Sequence, residues 1–297
     1  MIKTGSLSYS YDGFAQALCE VNLELRDGEF LALLGANGCG KTTLLKHLNG
    51  LLKPSSGKVF LDGKELRFFK DSEVFQRVGM VFQDPNDQLF GANVVQDVAF
   101  GVVNQGLKPD EVVRRTTEAL RLVGASELSD KAIHTLSFGQ KRRVAIAGVL
   151  AMEPKTILLD EPTSGLDPWG ASSIMRLLRK LNREKKISMI MATHDVELVP
   201  LFSDRVVIMD RGRIVAEGTP SEVFANTDMI RGAALRLPRV SHLVEILRKK
   251  EGIDFHEIPL TIGEARREFI RFMEARSQTK TENMSPHLRI GELPDDT

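Results

Sequence analysis

Two segments of the sequence carry residues suited to binding phosphate. The first, GANGCGKTT from Gly35 to Thr43, matches G-x-x-x-x-G-K-[ST] through Gly40, Lys41 and Thr42. In such a loop the backbone N–H groups surround a phosphate, the lysine reaches the β- and γ-phosphates, and the threonine hydroxyl is suited to Mg²⁺. A strand-like apolar run precedes the loop and a helix-like run follows it, which is the context that this pattern requires.

The second segment, LSFGQ, contains Ser137, Phe138 and Gly139 just before an apolar run with helical spacing. A serine at such a position usually caps the helix and leaves backbone N–H groups available to an anion. The chain therefore has two candidate anion sites, and the sequence alone does not explain why it needs both.

Three further residues with catalytic potential stand at the ends of apolar runs. TILLDEP ends in Asp160 and Glu161, and SMIMATH ends in His194. Asp160 is suited to hold Mg²⁺ through water, Glu161 to polarise an attacking water as general base, and His194 to meet the γ-phosphate side. The alternatives are an acidic strand end that only caps a helix and a structural histidine.

The elements that must position these residues follow from hydrophobic patterning. FLALLG, TILLDE and SMIMATH are continuous apolar runs, which are typical of parallel strands covered on both faces, with ligands bound at the carboxyl edge. The first 70 or so residues read as short strands with turns, and Val21, Leu23 and Leu25 alternate as in a half-exposed antiparallel strand. From about residue 86 to 150 the pattern is helical, and Pro109 marks one helix start.

A separate helical piece is expected past Gly218. Helix starts are predicted at Thr219–Pro220, at Ser241, and at a capping box of Thr261 with Glu264. One face of the last helix would carry Ile262, Ala265, Phe269 and Phe272. The polar segment 277–297, with two prolines, is expected to be disordered.

Composition limits the class of protein. The 297 residues include 42% apolar residues and 40 basic side chains against 40 acidic ones, so no nucleic-acid partner is expected from overall charge. No apolar run approaches the roughly 20 residues of a membrane span, and the start lacks a secretory signal, so we expect a soluble chain that is able to dock on a membrane partner. Two unpaired cysteines indicate a reducing compartment.

Six motifs, in one order, resemble the nucleotide-binding subunit of an ATP-binding-cassette protein over about residues 1–225. They are GANGCGKTT, Gln83 in VGMVFQDP, LSFGQ, ILLDEP, SGLD (Ser164 to Asp167) and His194. The resemblance implies an α/β P-loop NTPase fold with a mainly parallel sheet core, an antiparallel β subdomain, a helical subdomain (about 86–150) and a small helical C-terminal extension. It also implies ATP, Mg²⁺ and two subunits packed head to tail, so that the phosphate loop of one faces LSFGQ of the other. That arrangement accounts for two anion sites in one chain.

The resemblance also assigns roles to single residues. ATP-binding positions would be Tyr11 on the adenine, then Gly35, Asn37, Gly38, Cys39, Gly40, Lys41, Thr42 and Thr43, and Ser137, Gly139, Gln140 and Asp167. Mg²⁺ would be held by Thr42, Gln83 and Asp160, and catalysis would use Glu161, His194 and Gln83. Tyr9 is the alternative to Tyr11. Cys39 replaces the family's serine, where a thiol at a helix N-terminus is expected to have a lowered pKa, and Phe138 replaces a glycine.

The segments NDQLF and DVAFG resemble the ATPases of energy-coupling-factor importers. LLKHLNGLLKPSSG and LSFGQKRRVAIAGVLAMEP point the same way, towards the cobalt/nickel type. This likeness implies ATP hydrolysis coupled to transport at the cytoplasmic face of the membrane. The implied partners are a transmembrane coupling protein, a substrate-binding membrane subunit and a second ATPase, which is either an identical chain or a close homologue. Asp87, Gln88, Leu89 and Phe90 are candidates for the groove that receives the coupling protein; otherwise they form a solvated loop with Leu89 and Phe90 as local core.

Residues 226–276 resemble the region by which such ATPases hold one another, although they also suit the role of covering the subunit's own core. Three other functions are weighed. The same motor could serve a vitamin importer, a soluble cassette ATPase could act on DNA or ribosomes, and a regulatory module could bind nucleotide without turnover. The presence of Glu161 argues against the last, and the interval of about 50 residues between Gln83 and LSFGQ, without a coiled-coil insertion, argues against the soluble class.

Overall fold

The computed structural model describes residues 1–13, 15–253 and 255–282 of the chain. The chain divides into two compact units, Met1–Leu237 and Pro238–Thr297. The strands are β1 (Ile2–Ser10), β2 (Gln16–Val21), β3 (Glu24–Leu25), β4 (Phe30–Leu34), β5 (Ser56–Leu61), β6 (Lys64–Glu65), β7 (Val78–Val81), β8 (Thr156–Asp160), β9 (Ser188–Thr193), β10 (Arg205–Asp210) and β11 (Arg213–Gly218). The helices are α1 (Lys41–Leu48), α2 (Asp71–Arg77), α3 (Val94–Asn104), α4 (Pro109–Val123), α5 (Phe138–Ala151), α6 (Pro168–Lys185), α7 (Val199–Phe202), α8 (Pro220–Ala225), α9 (Thr227–Gly232), α10 (Arg239–Glu251) and α11 (Ile262–Glu282).

A six-stranded sheet with the order β11-β10-β4-β9-β8-β7 forms the centre of the first unit. The strands from β10 to β7 are parallel, and β11 pairs antiparallel with β10. Every residue of β4, β8 and β9 is buried, as the continuous apolar runs predict for strands covered on both faces. Because the strands are parallel, their carboxyl ends at Leu34, Asp160 and Thr193 meet at one edge.

The antiparallel sheet has the order β2-β1-β5-β6, with β3 also paired to β1. The single strand predicted through Val21, Leu23 and Leu25 is wrong in detail, because β2 ends at Val21 and β3 begins at Glu24. Thr4 explains the interruption. Its hydroxyl donates to the Val21 carbonyl at 2.8 Å and accepts from the Leu23 N–H at 2.8 Å, which replaces the ladder at that point.

One hydrophobic core joins the two sheets and α1. Its buried members include Leu7, Val59, Leu31, Leu33, Ile190, Val207, Leu44 and Leu45. Helices α3, α4 and α5 pack against one another and form the predicted helical region. As predicted, α4 begins at Pro109 and α8 begins at Pro220, after a capping box of Thr219 with Glu222. Strands β10 and β11 form an antiparallel hairpin. Among the described residues, no helix is long and apolar enough to cross a membrane.

The second unit contains α10 and α11. The predicted helix start at Ser241 is wrong, because α10 begins at Arg239 after Pro238. Ser241 is buried, and its hydroxyl donates to the Pro259 carbonyl at 2.6 Å instead of capping the helix. Pro238 precedes the first turn of α10 and sets the start of the helix, since its fixed φ suits that position.

The start of α11 agrees only in part with the predicted capping box. The Thr261 hydroxyl accepts from the Glu264 N–H at 3.2 Å, but the Glu264 carboxylate accepts from the N–H of Leu260, not from that of Thr261. The face predicted for this helix is partly right. Ala265 is buried, and the rings of Phe269 and Phe272 lie 5.2 and 6.0 Å from that of Phe255, whereas Ile262 is 83% exposed and does not share the face. The segment expected to be disordered begins within α11 at residue 277, and residues 283–297 lie outside the described residues.

Candidate nucleotide-binding site

The phosphate loop connects the buried strand β4 to α1. Gly40 has a φ of +108° and precedes the first helical residue, and a Cβ there would lie 2.6 Å from the Ala17 carbonyl oxygen. At Gly35, a Cβ would lie 2.4 Å from Cys39 Sγ. Glycine is therefore required at both positions. The first N–H groups of α1 have no partner within the helix, so the loop presents donors at the positive end of the helix dipole.

Lys41 lies back over this loop. Its ammonium donates to the carbonyl oxygens of Gly35 at 2.8 Å and Ala36 at 3.1 Å, and the side chain is buried. Asn37 and Gly38 form the exposed tip of the loop. The cation is thus held where the loop would surround a phosphate.

The two acidic residues stand at the carboxyl end of β8. Asp160 is its last residue, and Glu161 follows with a φ of +47° and donates its N–H to the Ala192 carbonyl at 2.9 Å. Both carboxylates are buried, and burial raises the pKa of Asp160 while a hydrogen bond from the Thr42 hydroxyl opposes that rise. Among the described residues, no partner reaches Asp160 Oδ1. A buried free carboxylate oxygen beside a hydroxyl fits Mg²⁺, which prefers hard oxygen ligands.

Glu161 is oriented by two neighbours from the end of β9. Its Oε1 accepts from His194 Nδ1 at 2.8 Å, which assigns the proton to that nitrogen, and its Oε2 accepts from the Thr193 hydroxyl at 3.3 Å. The imidazole is exposed, whereas the carboxylate is buried. The two hydrogen bonds fix the orientation of the carboxylate on the residue that follows Asp160, as a general base requires.

LSFGQ begins α5 as predicted. Ser137 and Gln140 form a capping box, in which the Ser137 hydroxyl accepts from the Gln140 N–H at 3.3 Å and the Gln140 side chain accepts from the Ser137 N–H at 3.0 Å. Both of these hydrogen bonds join Ser137 to Gln140, and neither involves Lys41, Glu161 or His194. Ser137 is exposed.

The replacement of glycine by Phe138 is accommodated within SGLD. The ring lies where a Cβ of Gly165 would come within 2.9 Å of it, so the glycine opposite makes room for the aromatic side chain. Two residues later, Asp167 caps α6, and its carboxylate accepts from the Gly170 N–H at 2.6 Å. At Gly139, the next residue of α5, an added Cβ would lie 3.6 Å from the Leu166 side chain, which is an ordinary van der Waals distance.

The two tyrosines occupy different surroundings. Tyr11 is 62% exposed and its hydroxyl lies 3.1 Å from that of Thr43 in α1. Tyr9 packs edge-on between Tyr11, at 4.9 Å, and the buried ring of His47, at 4.5 Å. Tyr11 is therefore the aromatic residue that faces outward beside the phosphate loop, and its contact with adenine stays a prediction.

The segment after β7 lines a cleft of about 470 Å³. Asp87, Gln88 and Phe90 border it, as expected for groove residues, whereas Leu89 is buried as local core. Phe90 is 67% exposed, and its ring meets that of Phe100 edge-on at 4.6 Å. The Gln83 side chain is exposed.

Two features differ from sequence-based reasoning. The expected lowering of the Cys39 pKa is wrong: burial raises the pKa of this thiol, although Lys41 acts in the opposite direction. The sequence gives no signal for Arg142, because it stands in the basic run KRR and charged residue types favour the surface. It is fully buried and contacts the Gln83 segment.

Comparison with known proteins identifies the group to which the chain is similar. Residues 18–164 match the family model described as ABC transporter. The energy-coupling factor transporter ATP-binding protein EcfA3 of Clostridium perfringens is 49% identical over 269 residues, which cover 90% of this chain and 94% of that protein. The structure of cbiO1 from Clostridium perfringens, described as part of the ABC transporter complex cbiONQ, is 49% identical with a TM-score of 0.72 and covers 82% of this chain and 98% of that one.

A dimeric ATP-binding cassette in a post-hydrolysis state with ADP and Pi is also similar. It is 30% identical with a TM-score of 0.67 and covers 74% of this chain and 99% of that one. The family model and these relatives agree with the cassette fold described above. The chain therefore belongs to the ABC transporter family and is an ATPase of its energy-coupling factor group.

Proposed function

We propose that the chain is the ATP-hydrolysing motor subunit of an energy-coupling-factor importer for cobalt or nickel ions. The observation that carries the hydrolytic part is the buried Glu161 carboxylate, which accepts from His194 Nδ1 at 2.8 Å. It belongs to the residue that follows Asp160, whose Oδ1 has no partner among the described residues. A module that only bound nucleotide would not need a carboxylate held in this way. The site thus supports turnover, which a motor requires.

Nucleotide binding is assigned to the phosphate loop and its neighbours. Lys41 leaves the carbonyl oxygens of Gly35 and Ala36 to contact the β- and γ-phosphates, and the loop's N–H groups hold the remaining phosphate oxygens. Tyr11 stacks on the adenine, an interaction typically worth about 1–3 kcal/mol per base. Thr42, Asp160 and Gln83 would hold Mg²⁺, which when bound neutralises charge on the phosphate oxygens.

Proton transfer is assigned to Glu161. Its carboxylate takes the proton from the attacking water, while His194 and Thr193 keep it in one orientation and His194 faces the γ-phosphate side. Ser137, Gly139 and Gln140 would serve the phosphate loop of a second subunit, since Ser137 lies exposed at the start of α5. Asp167 would lie in the loop that connects the two composite sites.

Coupling to transport is assigned to the cleft that Phe82, Gln88 and Phe90 line. Its exposed aromatic edge, formed by Phe90 and Phe100, suits an apolar helix of a transmembrane coupling protein. Asp97 fixes this edge, because its carboxylate accepts the N–H groups of Phe90 at 2.8 Å and Gly91 at 2.7 Å. The likeness to cbiO1 of the cbiONQ complex supports a membrane assembly, which would place the chain at the cytoplasmic face of the membrane with a substrate-binding membrane subunit nearby.

The choice of cargo rests on the likeness of LLKHLNGLLKPSSG and LSFGQKRRVAIAGVLAMEP to the cobalt/nickel type. A vitamin importer is the second candidate, since the motor does not contact the cargo. A soluble cassette ATPase acting on DNA or ribosomes is disfavoured, because α3 and α4 are short helices and the described residues between Gln83 and LSFGQ contain no coiled coil.

The test is affinity purification of the tagged chain from detergent-solubilised native membranes, followed by mass spectrometry. We expect a multi-span coupling protein and a small membrane subunit, and loss of cellular Co²⁺ or Ni²⁺ uptake when the chain is deleted. Phe90→Asp should lose the membrane proteins and keep ATP hydrolysis, whereas Val113→Asp, at an exposed apolar position on α4, should keep both. Recovery of ribosomal proteins or DNA alone would refute transport, and loss of vitamin uptake would reassign the cargo.

A further inference from the structure

Arg142 is a buried cation that touches several of the nucleotide-site segments at once. It lies in α5, and its guanidinium donates to the carbonyl oxygens of Phe82 at 2.7 Å and Gln83 at 2.5 Å. A longer contact of 3.5 Å reaches the Ser164 carbonyl, in the SGLD segment. The ring of Phe138 lies 5.4 Å from the guanidinium carbon. One side chain therefore connects the Gln83 segment to the helix that begins with LSFGQ.

This position is costly, which argues against a role in stability alone. Burial lowers the pKa of the Arg142 guanidinium, and the charges of Asp84 and Asp160 oppose that effect. Its Nε has no partner among the described residues. A buried charge with an unpaired donor is weak evidence for stabilisation, because apolar side chains of similar size often serve as well. A planar fork of donors, by contrast, fixes two carbonyl groups in one geometry, which a lysine cannot do.

Two further side chains join the same segments. Gln88 accepts from the Phe82 N–H at 3.0 Å and donates to the Ala145 carbonyl of α5 at 3.0 Å. Lys141 donates to the Asn86 side chain at 2.7 Å. The segment from Phe82 to Gln88 is thus attached to α5 at both ends, with Arg142 at the end that carries Gln83.

We propose that Arg142 is a positioning residue for Gln83. It holds the backbone at Gln83 so that this side chain is presented to the Mg²⁺ site, and it makes the Gln83 segment and α5 move as one body. The inference rests on the proposed role of Gln83. The new element is that the role of Gln83 depends on a hydrogen-bond donor from α5, namely Arg142. The same side chain therefore connects the helix that begins with LSFGQ to the segment that leads to Phe90.

A double-mutant cycle on ATP hydrolysis by the purified full chain tests the inference. Arg142→Met should lower kcat by about 10²-fold, as expected when a group is misplaced by about 1 Å, with little change in KM for ATP because the phosphate loop is untouched. In the Gln83→Ala background the same substitution should have little further effect, since neighbours acting through one contact are not additive. Arg142→Lys should restore part of the activity.

Arg143→Met is the matched control. Arg143 is the next residue of α5, but it donates to the Val123 carbonyl at 2.6 Å and to the Ser173 hydroxyl at 2.8 Å, away from Gln83. The fold-losses in kcat from Arg143→Met and Gln83→Ala should therefore multiply in the double variant. If Arg142→Met does not fold, as thermal unfolding would show, the cycle is measured with Arg142→Lys, whose deficit should likewise disappear in the Gln83→Ala background.

Two results would overturn the inference, and they have different meanings. If Gln83→Ala is defective and the effect of the Arg142 substitution multiplies with it in full, Arg142 acts independently and only this inference fails. If Gln83→Ala leaves kcat unchanged, the proposed role of Gln83 fails and the inference fails with it.

Discussion

Replacing Glu161 by glutamine tests the assignment of the general base most directly. The amide side chain would keep the shape of the carboxylate and one oxygen able to accept from His194 Nδ1, which lies 2.8 Å from Glu161 Oε1. It would lose the ability to take a proton. Lys41 and Thr42 are unchanged, so we expect ATP affinity to be retained. The loss of a general base is typically about 10²–10⁴-fold in rate.

At about 1.36 kcal/mol per decade, this loss corresponds to about 3–5 kcal/mol of transition-state free energy. The assay is phosphate release at saturating ATP, with nucleotide affinity measured separately on the same preparation. Glu153→Gln is the matched control, because Glu153 also has a positive φ but pairs with Arg114 and Arg115 at the surface. If the Glu161→Gln variant hydrolyses ATP at the rate of the parent chain, Glu161 is not the general base. The main argument for turnover at this site would then be refuted.

The remaining predictions concern other groups of the site. Asp160→Asn should raise the melting temperature in EDTA and abolish stabilisation by Mg²⁺. Burial raises the folded-state pKa of Asp160 above its unfolded-state value, so the free energy of unfolding falls as pH rises from the unfolded-state pKa to the folded-state pKa and then levels off. Melting curves from about pH 4 to pH 8 should show this fall in the parent chain and not in Asp160→Asn, and equal pH profiles would contradict it. Iodoacetamide should label the half-buried Cys19 before the buried Cys39, because the raised pKa of Cys39 leaves less thiolate. Equal labelling rates, measured by mass spectrometry, would show that Cys39 is accessible. Trp169 is the single tryptophan, is 74% exposed and stands two residues after Asp167. ATP should therefore shift its fluorescence emission to shorter wavelength when two subunits close. An unchanged emission spectrum at saturating ATP would place Trp169 outside the interface.

The parallel sheet and the residues at its edge were predictable because several signals coincided there. Continuous apolar runs indicate strands covered on both faces, and the polar residues that end them must meet at one edge when the strands are parallel. The structure confirms this, since Asp160 pairs with Ala192 and Leu34 with Thr193 across neighbouring strands. The serine cap of α5 was equally predictable, because Ser137 with Gln140 three residues later is a local pattern.

Local patterns failed where a contact distant in sequence decides the outcome. Ser241 has the form of a helix cap, but the Pro259 carbonyl, 18 residues away, takes its hydroxyl as donor. Thr4 likewise interrupts a strand from 17 and 19 residues away. The lowered pKa expected for Cys39 considered the helix terminus and Lys41 but not the burial of the thiol, which is the larger effect. Spacing within a segment contains no information on these contacts.

Buried charges show the same limit more strongly. Arg142 stands in a basic run that resembles a solvated face, yet it is fully enclosed, and Arg205 pairs in the interior with Glu29 at 2.6 Å although the two are 176 residues apart. The sequence predicts the burial of neither arginine, because charged residue types favour the surface and only tertiary partners reverse that preference.

The positions of Arg142 and Ser137 on one helix bear on the proposed roles of the two anion sites in each chain. Ser137 lies at the exposed start of α5, five residues before Arg142, which is bonded to the Gln83 segment. A helix transmits displacement along its length, so a partner's phosphate bound at Ser137 and a protein docked beside Phe90 would act on the same rigid element. On the proposed assignments, closing of the ATP-bound dimer and movement of the docked protein would then be one event, and the anion site on α5 would pass the coupling between subunits.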